Sequence, residues 1–372
     1  MSAFVCDACA PSVTPLQQLL GRVRHSHRLF AVHWELTYRC NQACAHCYLD
    51  VQPPKRAVRE APGATEQNEL STAECRRVID EMAALGAFSL VLSGGEPLLR
   101  DDWAELAAYA RARYMALRLF TNGTLVDASV ASRIAQLHLC TVEVSVYGAD
   151  ARTHDALTRV HGSFDRAIRS LRLLREQGVR TVMKTPMMRQ NVGQFRGMQA
   201  LAGELGAQFH HDASITPSAN PRLNPLQFRM TEDDLRAYYR QTLEPSRGSL
   251  VANVPLAATP DRRPCGIGTS AITIDPYGNV FPCLEVRLAA GNLRQSPLRE
   301  IWERSGLWAE LRRLTLEELP ACRACDLAGY CTRCHGLAWQ IDGDLRTASS
   351  ENCRQARIRK EVLEEFNRSV QA

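Results

Sequence analysis

Lysine is almost missing from this 372-residue chain: Lys55, Lys184 and Lys360 stand alone among 45 basic residues. Arginine supplies the rest, which is a compositional bias rather than a binding signal. The net charge of +5 is too small and too evenly spread to argue for a nucleic-acid partner. Also lacking is any run near the roughly 18 apolar residues that a membrane-spanning helix needs. The opening MSAFVCDACAPSVTPLQQLL has neither the basic start nor the continuous apolar stretch of a secretion signal. The expected setting is the cytoplasm, off the membrane, where thiols stay reduced and disulfides are rare. No internal repeat or low-complexity tract is present.

Against these absences stand 14 cysteines. In a reducing compartment that many thiols call for metal or redox chemistry. Cys6 and Cys9 form an isolated CDAC pair and read as unliganded thiols, while Cys75 and Cys140 read as small buried hydrophobes. An apolar fraction of 45% and a charged fraction of 23% are those of an ordinary globular protein, long enough for one large core with an extension.

Short apolar runs alternate with helical patterns between residues 31 and 215. LFAVHWEL, FSLVLSGG, LRLFTNG, TVEVSVYG, VRTVMKTP and AQFHHDASI read as strands. In STAECRRVIDEMAALG, Ser71 can cap a helix with Glu74 three residues on, and Gly86 ends it. SFDRAIRSLRLLREQG sets Ile168, Leu171 and Leu174 on one face before Gly178. Regular alternation implies parallel strands joined by right-handed crossovers. The expected class is therefore α/β: a partial (β/α)6 TIM-like barrel over 31–215, open on one side. An extension (1–30) precedes it. A linker region (216–262), a small cysteine-rich domain (263–356) and a C-terminal helix (357–372) follow. VQPPKRAVREAPGATEQNEL, after the first strand, reads as a surface loop or lid.

In such folds the chemistry sits at the strand carboxyl ends. The marked motifs fall there: CNQACAHC after the first strand, SGGEP after the second, TNG after the third and SVYG at the fourth. Cys40, Cys44 and Cys47 are three thiols with no fourth beside them. Metal sites built on cysteine usually come in fours. A cube held by three thiolates keeps one iron open for another ligand.

CNQACAHC resembles the cluster-binding signature of radical S-adenosylmethionine (radical SAM) enzymes, and the motifs that follow match in order. The resemblance implies a [4Fe–4S] cluster on Cys40, Cys44 and Cys47, whose open iron chelates the methionine part of S-adenosylmethionine. It implies that the Gly-rich stretch Ser93, Gly94, Gly95, Glu96 and Pro97 meets the methionine amino group. Ser145 would contact ribose or carboxylate, Arg159 would be the basic carboxylate partner, and His46 would lie near the adenine. Asn122 belongs to the matching end of strand three.

Seven more thiols follow: Cys265, Cys283, Cys322, Cys325, Cys331, Cys334 and Cys353. Their spacing resembles the SPASM extension of many radical SAM enzymes, with one departure: Cys331 and Cys334 are separated by two residues where that family has three. The resemblance implies one or two auxiliary [4Fe–4S] clusters. Cys322, Cys325, Cys331 and Cys353 would fill one. Cys265, Cys283 and Cys334 would hold the other, with an open iron or an unidentified fourth ligand. On the residues alone a zinc ribbon stays open, since C-x2-C pairs bind zinc readily.

Function follows as an expectation. By resemblance, reductive cleavage of S-adenosylmethionine yields a 5′-deoxyadenosyl radical that abstracts hydrogen from a peptide or protein side chain, in a cross-link or oxidation. The partners expected are a precursor peptide or protein, a separate peptide-recognition protein (about 30 residues precede the barrel), and a reductase, flavodoxin or ferredoxin as electron donor. Lys184, His210 and Asp212, at the ends of strands five and six, are the candidate substrate-side residues. A sulfatase active-site residue or a tetrapyrrole side chain is the alternative substrate. An iron–sulfur redox sensor and a zinc-stabilised binding module are the non-enzymatic alternatives.

Overall fold

The computed structural model describes residues 21–23, 25–50, 68–218, 220, 224–243 and 261–371. All but the last three residues of the expected lid (51–70), the Cys6–Cys9 pair and much of the linker lie outside them. Six strands form where the sequence predicts them: β1 (Ala31–Glu35), β2 (Ser89–Ser93), β3 (Ala116–Thr121), β4 (Thr141–Ser145), β5 (Thr181–Pro186) and β6 (Gln208–Asp212). The helices between them are α1 (Thr72–Ala84), α2 (Trp103–Ala112), α3 (Ala128–Gln136), α4 (Ala151–Thr158), α5 (Ser163–Glu176) and α6 (Phe195–Glu204). The Ser71–Glu74 capping box forms as read, satisfying two orphan donors at the start of α1.

The strands alternate in side-chain character. Strands in an all-parallel sheet are usually apolar on both faces. Here Val32 and Trp34, Leu90 and Leu92, Leu117 and Leu119, Val142 and Val144, and Met183 pack outward. They meet Val78, Ile79 and Met82 of α1, Leu106 of α2, Ile134 of α3, Leu171 and Leu174 of α5, and Met198 of α6. Each such side chain contributes roughly 1.5–3 kcal/mol by leaving water. The alternate positions, His33, Phe120, Glu143, Ser145, Lys184, His210 and Asp212, line a cavity on the inner face.

The sheet does not stop at the sixth strand. β7 (Ala271–Ile274) pairs parallel with β1, Ala31 opposite Ala271 and Trp34 opposite Ile274. β8 (Asn279–Phe281) and β9 (Gly291–Asn292) add antiparallel, giving the order β6-β5-β4-β3-β2-β1-β7-β8-β9. The boundary expected near 263 is therefore crossed by a strand ladder, and the parallel portion has seven strands rather than six. Tight turning at Gly278, φ +87°, carries the chain from β7 to β8 and so to Cys283.

Within the linker lies α7 (Glu232–Leu243). After β9 come α8 (Leu298–Arg304), α9 (Gly306–Arg312), α10 (His335–Asp342) and α11 (Ser350–Gln371). The last helix begins seven residues before the expected 357, and carries Cys353 in its first turn. It packs Ile358 and Val362 against Leu235, Tyr238 and Tyr239 of α7 and, with them, against Met187, Val192 and Phe195 beside β5. The C-terminal region thus closes on both ends of the barrel.

Candidate active site

Cys40, Cys44 and Cys47 sit in the loop after β1, walled into one cavity of about 480 Å³ with Ser93, Gly94, Gly95, Asn122 and Ser145. Burial pushes the Cys40 thiol up to about 12 and Cys47 to about 11, and raises Cys44 as well. Cys47 bears on both of the others as a like charge. Three thiols crowded where none ionises readily suit a cationic iron–sulfur group that would neutralise them. Asn122 Nδ2 lies 4.0 Å from Cys40 Sγ, with its other contacts to Asn41 and Thr124 fixing it.

The cavity wall also holds polar atoms without partners. His33 Nε2, Gln42 Nε2 and His46 Nδ1 are buried there and unsatisfied among the described residues. Buried polar atoms are nearly always bonded, so three on one wall point to a ligand that bonds them. Burial lowers His33 and His46 to about 4, so both rings are neutral at pH 7. The His46 ring meets Tyr147 edge-on, centroids 4.5 Å apart. The Tyr147 hydroxyl, buried, lies against Ser145 and the Cys44 thiol.

The Gly-rich stretch does two jobs, one of them unforeseen. Ser93, Gly94 and Gly95 line the cavity, but their closest approach is to the cysteine loop itself. A Cβ on Gly94 would fall 2.3 Å from the Thr37 carbonyl, and one on Gly95 2.3 Å from the Arg39 carbonyl. Gly95 N donates to Thr37 O and Glu96 N to Arg39 O, at 2.7 and 2.8 Å. Glu96 and Pro97 do not line the cavity. Glu96 is wholly buried and accepts from Thr121 Oγ1 (2.8 Å), Asn122 N (2.7 Å) and Leu98 N (3.1 Å). Burial pushes it up to about 7 against those three bonds. Through these bonds its carboxyl joins the ends of β2 and β3.

Arg159 is exposed, in the left-handed region at φ 58°, and is not part of the cavity wall. Its neighbours support the cysteine loop instead: Thr158 O accepts from Ala43 N and Leu157 O from Ala45 N. Lys184 reaches Glu143 at 3.0 Å and lies 3.6 Å from the Phe120 ring centroid, while Arg118 holds the other Glu143 oxygen through Nε at 3.0 Å. Burial lowers Lys184 against the pull of Glu143. Asp212 and His210 stand on the same wall.

Two residues missed in the sequence complete the frame. Glu35, fully buried, accepts from Arg287 at 2.6 and 2.8 Å, from Tyr48 at 2.8 Å and from Tyr38 at 3.0 Å. Tyr48 directly follows Cys47, so this carboxylate ties β1, the cysteine loop and the C-terminal region together. Glu285, two residues after Cys283, also lines the cavity. A charge among alternating apolar residues was the only available signal for Glu35.

The auxiliary thiols separate into two groups. Cys334 and Cys265 lie near enough to Cys283 to bear on its thiol; Cys353, Cys322 and Cys325 bear likewise on Cys331. Burial raises Cys283 to about 12 and Cys331 to about 11. The shorter Cys331–Cys334 spacing still sends these two thiols to different groups.

Comparison with known proteins agrees with these features. The family model of the radical SAM superfamily matches residues 34–202, and that of an iron–sulfur cluster-binding domain matches 265–326. AdoMet-dependent heme synthase of Methanosarcina barkeri is 29% identical over 84% of this chain and 93% of its own. Mycofactocin maturase MftC of Mycobacterium tuberculosis is 31% identical over 82% and 76%. Among solved structures, Streptococcus suis SuiB bound to precursor peptide SuiA superposes with TM-score 0.68 at 15% identity, over 95% of this chain and 84% of that one. The anSMEcpe enzyme with bound AdoMet gives 0.67 at 16%, over 92% and 98%. At those identities the structures speak for the fold alone.

Proposed function

The chain belongs to the radical SAM superfamily and carries a C-terminal iron–sulfur cluster-binding domain, and from that footing we propose that it abstracts hydrogen from a side chain of a ribosomally made peptide or of a protein. It is an enzyme whose cofactors are a [4Fe–4S] cluster with S-adenosylmethionine and auxiliary iron–sulfur clusters. When bound, the cluster supplies the electron that cleaves S-adenosylmethionine, and the resulting 5′-deoxyadenosyl radical removes the hydrogen atom. The protein's part is to position and to exclude water.

Cys40, Cys44 and Cys47 hold the cluster. The inner edge of Ser93–Gly95, with Ser145 and the neutral His46 ring, receives S-adenosylmethionine. Glu96 acts one step behind, fixing the Asn122 backbone and so the donor beside Cys40. Lys184 and Asp212 face the remaining space and orient the substrate. The carrying observation is the set of unpartnered His33, Gln42 and His46 nitrogens on the wall that the three thiols share.

The peptide reading draws support from the 31% identity to a maturase. The second reading, a tetrapyrrole side chain, is favoured by the heme synthase, matched over 93% of its length. Anoxically reconstituted protein, reduced and given S-adenosylmethionine, tests both. Candidate peptides encoded beside the gene and an iron porphyrin are offered separately, and 5′-deoxyadenosine is measured with the mass of each substrate. A mass change in a peptide supports the first reading; a change confined to the porphyrin replaces it with the second.

A further inference from the structure

Three thiols, Cys265, Cys283 and Cys334, form a group one short of the four that close an iron–sulfur cube, whereas Cys322, Cys325, Cys331 and Cys353 make a full set. A carboxylate stands near this group: Glu285 is among the charges that bear on the Cys334 thiol. Glu285 lies two residues beyond Cys283, in a turn closed by an antiparallel bridge between Cys283 and Val286. It packs onto the backbone just after Cys334: a Cβ on Gly336 would fall 2.1 Å from the Glu285 Cβ. Gln340 Nε2 donates to the Glu285 carbonyl at 2.6 Å and to Oε2 at 3.3 Å. Glu285 is thus clamped between the two segments that supply Cys283 and Cys334.

The carboxylate has too little to balance it. Thr216 Oγ1 donates to Oε1 at 2.7 Å, and with Gln340 this leaves about two of its four lone-pair positions open. The cation that bears on it, Arg287, is already committed to Glu35 through both nitrogens. Buried carboxylates are paired or coordinate metal.

We propose that Glu285 is the fourth protein ligand of the iron–sulfur cluster held by Cys265, Cys283 and Cys334. The same side chain lines the central cavity, so one carboxylate would belong both to the auxiliary site and to the cavity wall. A carboxylate is a weaker iron ligand than a thiolate, so iron held by it would be guarded yet exchangeable. The inference rests on the radical SAM assignment with auxiliary clusters, and it adds the identity of the missing donor.

The test uses the full chain with Cys40, Cys44 and Cys47 all changed to alanine, so that only auxiliary clusters contribute to the spectrum. Iron content is counted first, and the reduced protein is titrated with cyanide while its electron paramagnetic resonance signal is followed. Glu285→Ala should expose the iron, shifting the signal at a cyanide concentration roughly tenfold or more below that needed for the parent. Glu285→Cys should keep the iron content of the parent and resist cyanide at least as well, which separates ligand loss from misfolding. Equal cyanide dependence in the parent and in Glu285→Ala overturns the proposal. Iron missing from the parent itself overturns the auxiliary-cluster reading along with it.

Discussion

Glu35 and Arg287 lie 252 residues apart in sequence and meet through two hydrogen bonds of 2.8 and 2.6 Å, with the carboxylate wholly out of water. Arg287 lowers Glu35, and Glu35 raises Arg287, although burial opposes both charges. Removing one partner strands the other. Arg287→Ala should cost about 3–5 kcal/mol in denaturant unfolding of the apoprotein. A Glu35→Leu, Arg287→Met pair should recover most of that loss. Because Tyr48 also bonds Glu35, the single variant should retain less iron after reconstitution than the pair.

The two sets of thiols should separate by assay. Cys44→Ala should lose about four irons per chain and abolish 5′-deoxyadenosine formation. Cys283→Ala should leave the basal cleavage of S-adenosylmethionine measurable while stopping product formation. Loss of cleavage in Cys283→Ala, with the protein still folded by circular dichroism, would place that thiol at the catalytic cluster instead.

Glycine at 95 is a steric requirement. Gly95→Ala puts a methyl 2.3 Å from the Arg39 carbonyl and 3.1 Å from Cys40 Cβ, where only backbone can yield. The expected cost is about 1–3 kcal/mol, with weaker cluster retention. Gly193→Ala meets nothing within 4 Å and should change stability by less than about 0.5 kcal/mol. Thermal unfolding of the three apoproteins compares them directly.

Acid should destabilise the fold through His33 and His154, both lowered to about 4 chiefly by burial. Their neutral rings bind no proton in the native state, whereas in the unfolded chain they titrate near 6.5. Their contribution is complete above pH 6.5 and is lost as pH falls from there towards 4. Within that window each adds a slope of up to about 1.4 kcal/mol per pH unit. Replacing His154 with Phe should flatten the decline measured by urea unfolding between pH 7 and 4.5.

Ser145 and Arg159 carry different weights despite sharing a motif-based rationale. Ser145 lines the cavity and touches Tyr147, so Ser145→Ala should raise the KM for S-adenosylmethionine roughly two- to tenfold, the worth of one hydrogen bond. Arg159→Ala, at an exposed position outside the wall, should leave KM within about twofold. A large KM rise in Arg159→Ala would show that the side chain swings in on binding.

What was legible in the sequence was what repeats locally. The polar residues of HWE and EVS recur at period two, which fits strands with one polar face. Cysteine spacings are likewise local, and in the folded chain Cys334 lies near enough to Cys283 to bear on its thiol. Long-range charge pairing leaves no such trace: nothing near Glu35 names Arg287, and nothing near Cys283 distinguishes Glu285 from any surface glutamate. Glu96 and Gly95 stand out in the sequence, yet the partners the structure gives them lie within the protein, in the Arg39, Thr37, Leu98 and Asn122 backbone and the Thr121 hydroxyl, which only the folded chain reveals. AITI, short and followed by a turn, gave no sign that its partner would be β1.

That last pairing makes β1 an interior strand, so the cluster-binding extension is not an appendage that can be clipped off. Ending the chain before residue 271 would bare a row of hydrogen-bonding groups along Ala31–Trp34, inviting edge-to-edge aggregation. Chimeras that exchange this half between relatives will stay soluble only where the incoming segment reproduces the Ala31–Ala271 alignment, because a slip of one residue turns Ile272 and Ile274 to the wrong side.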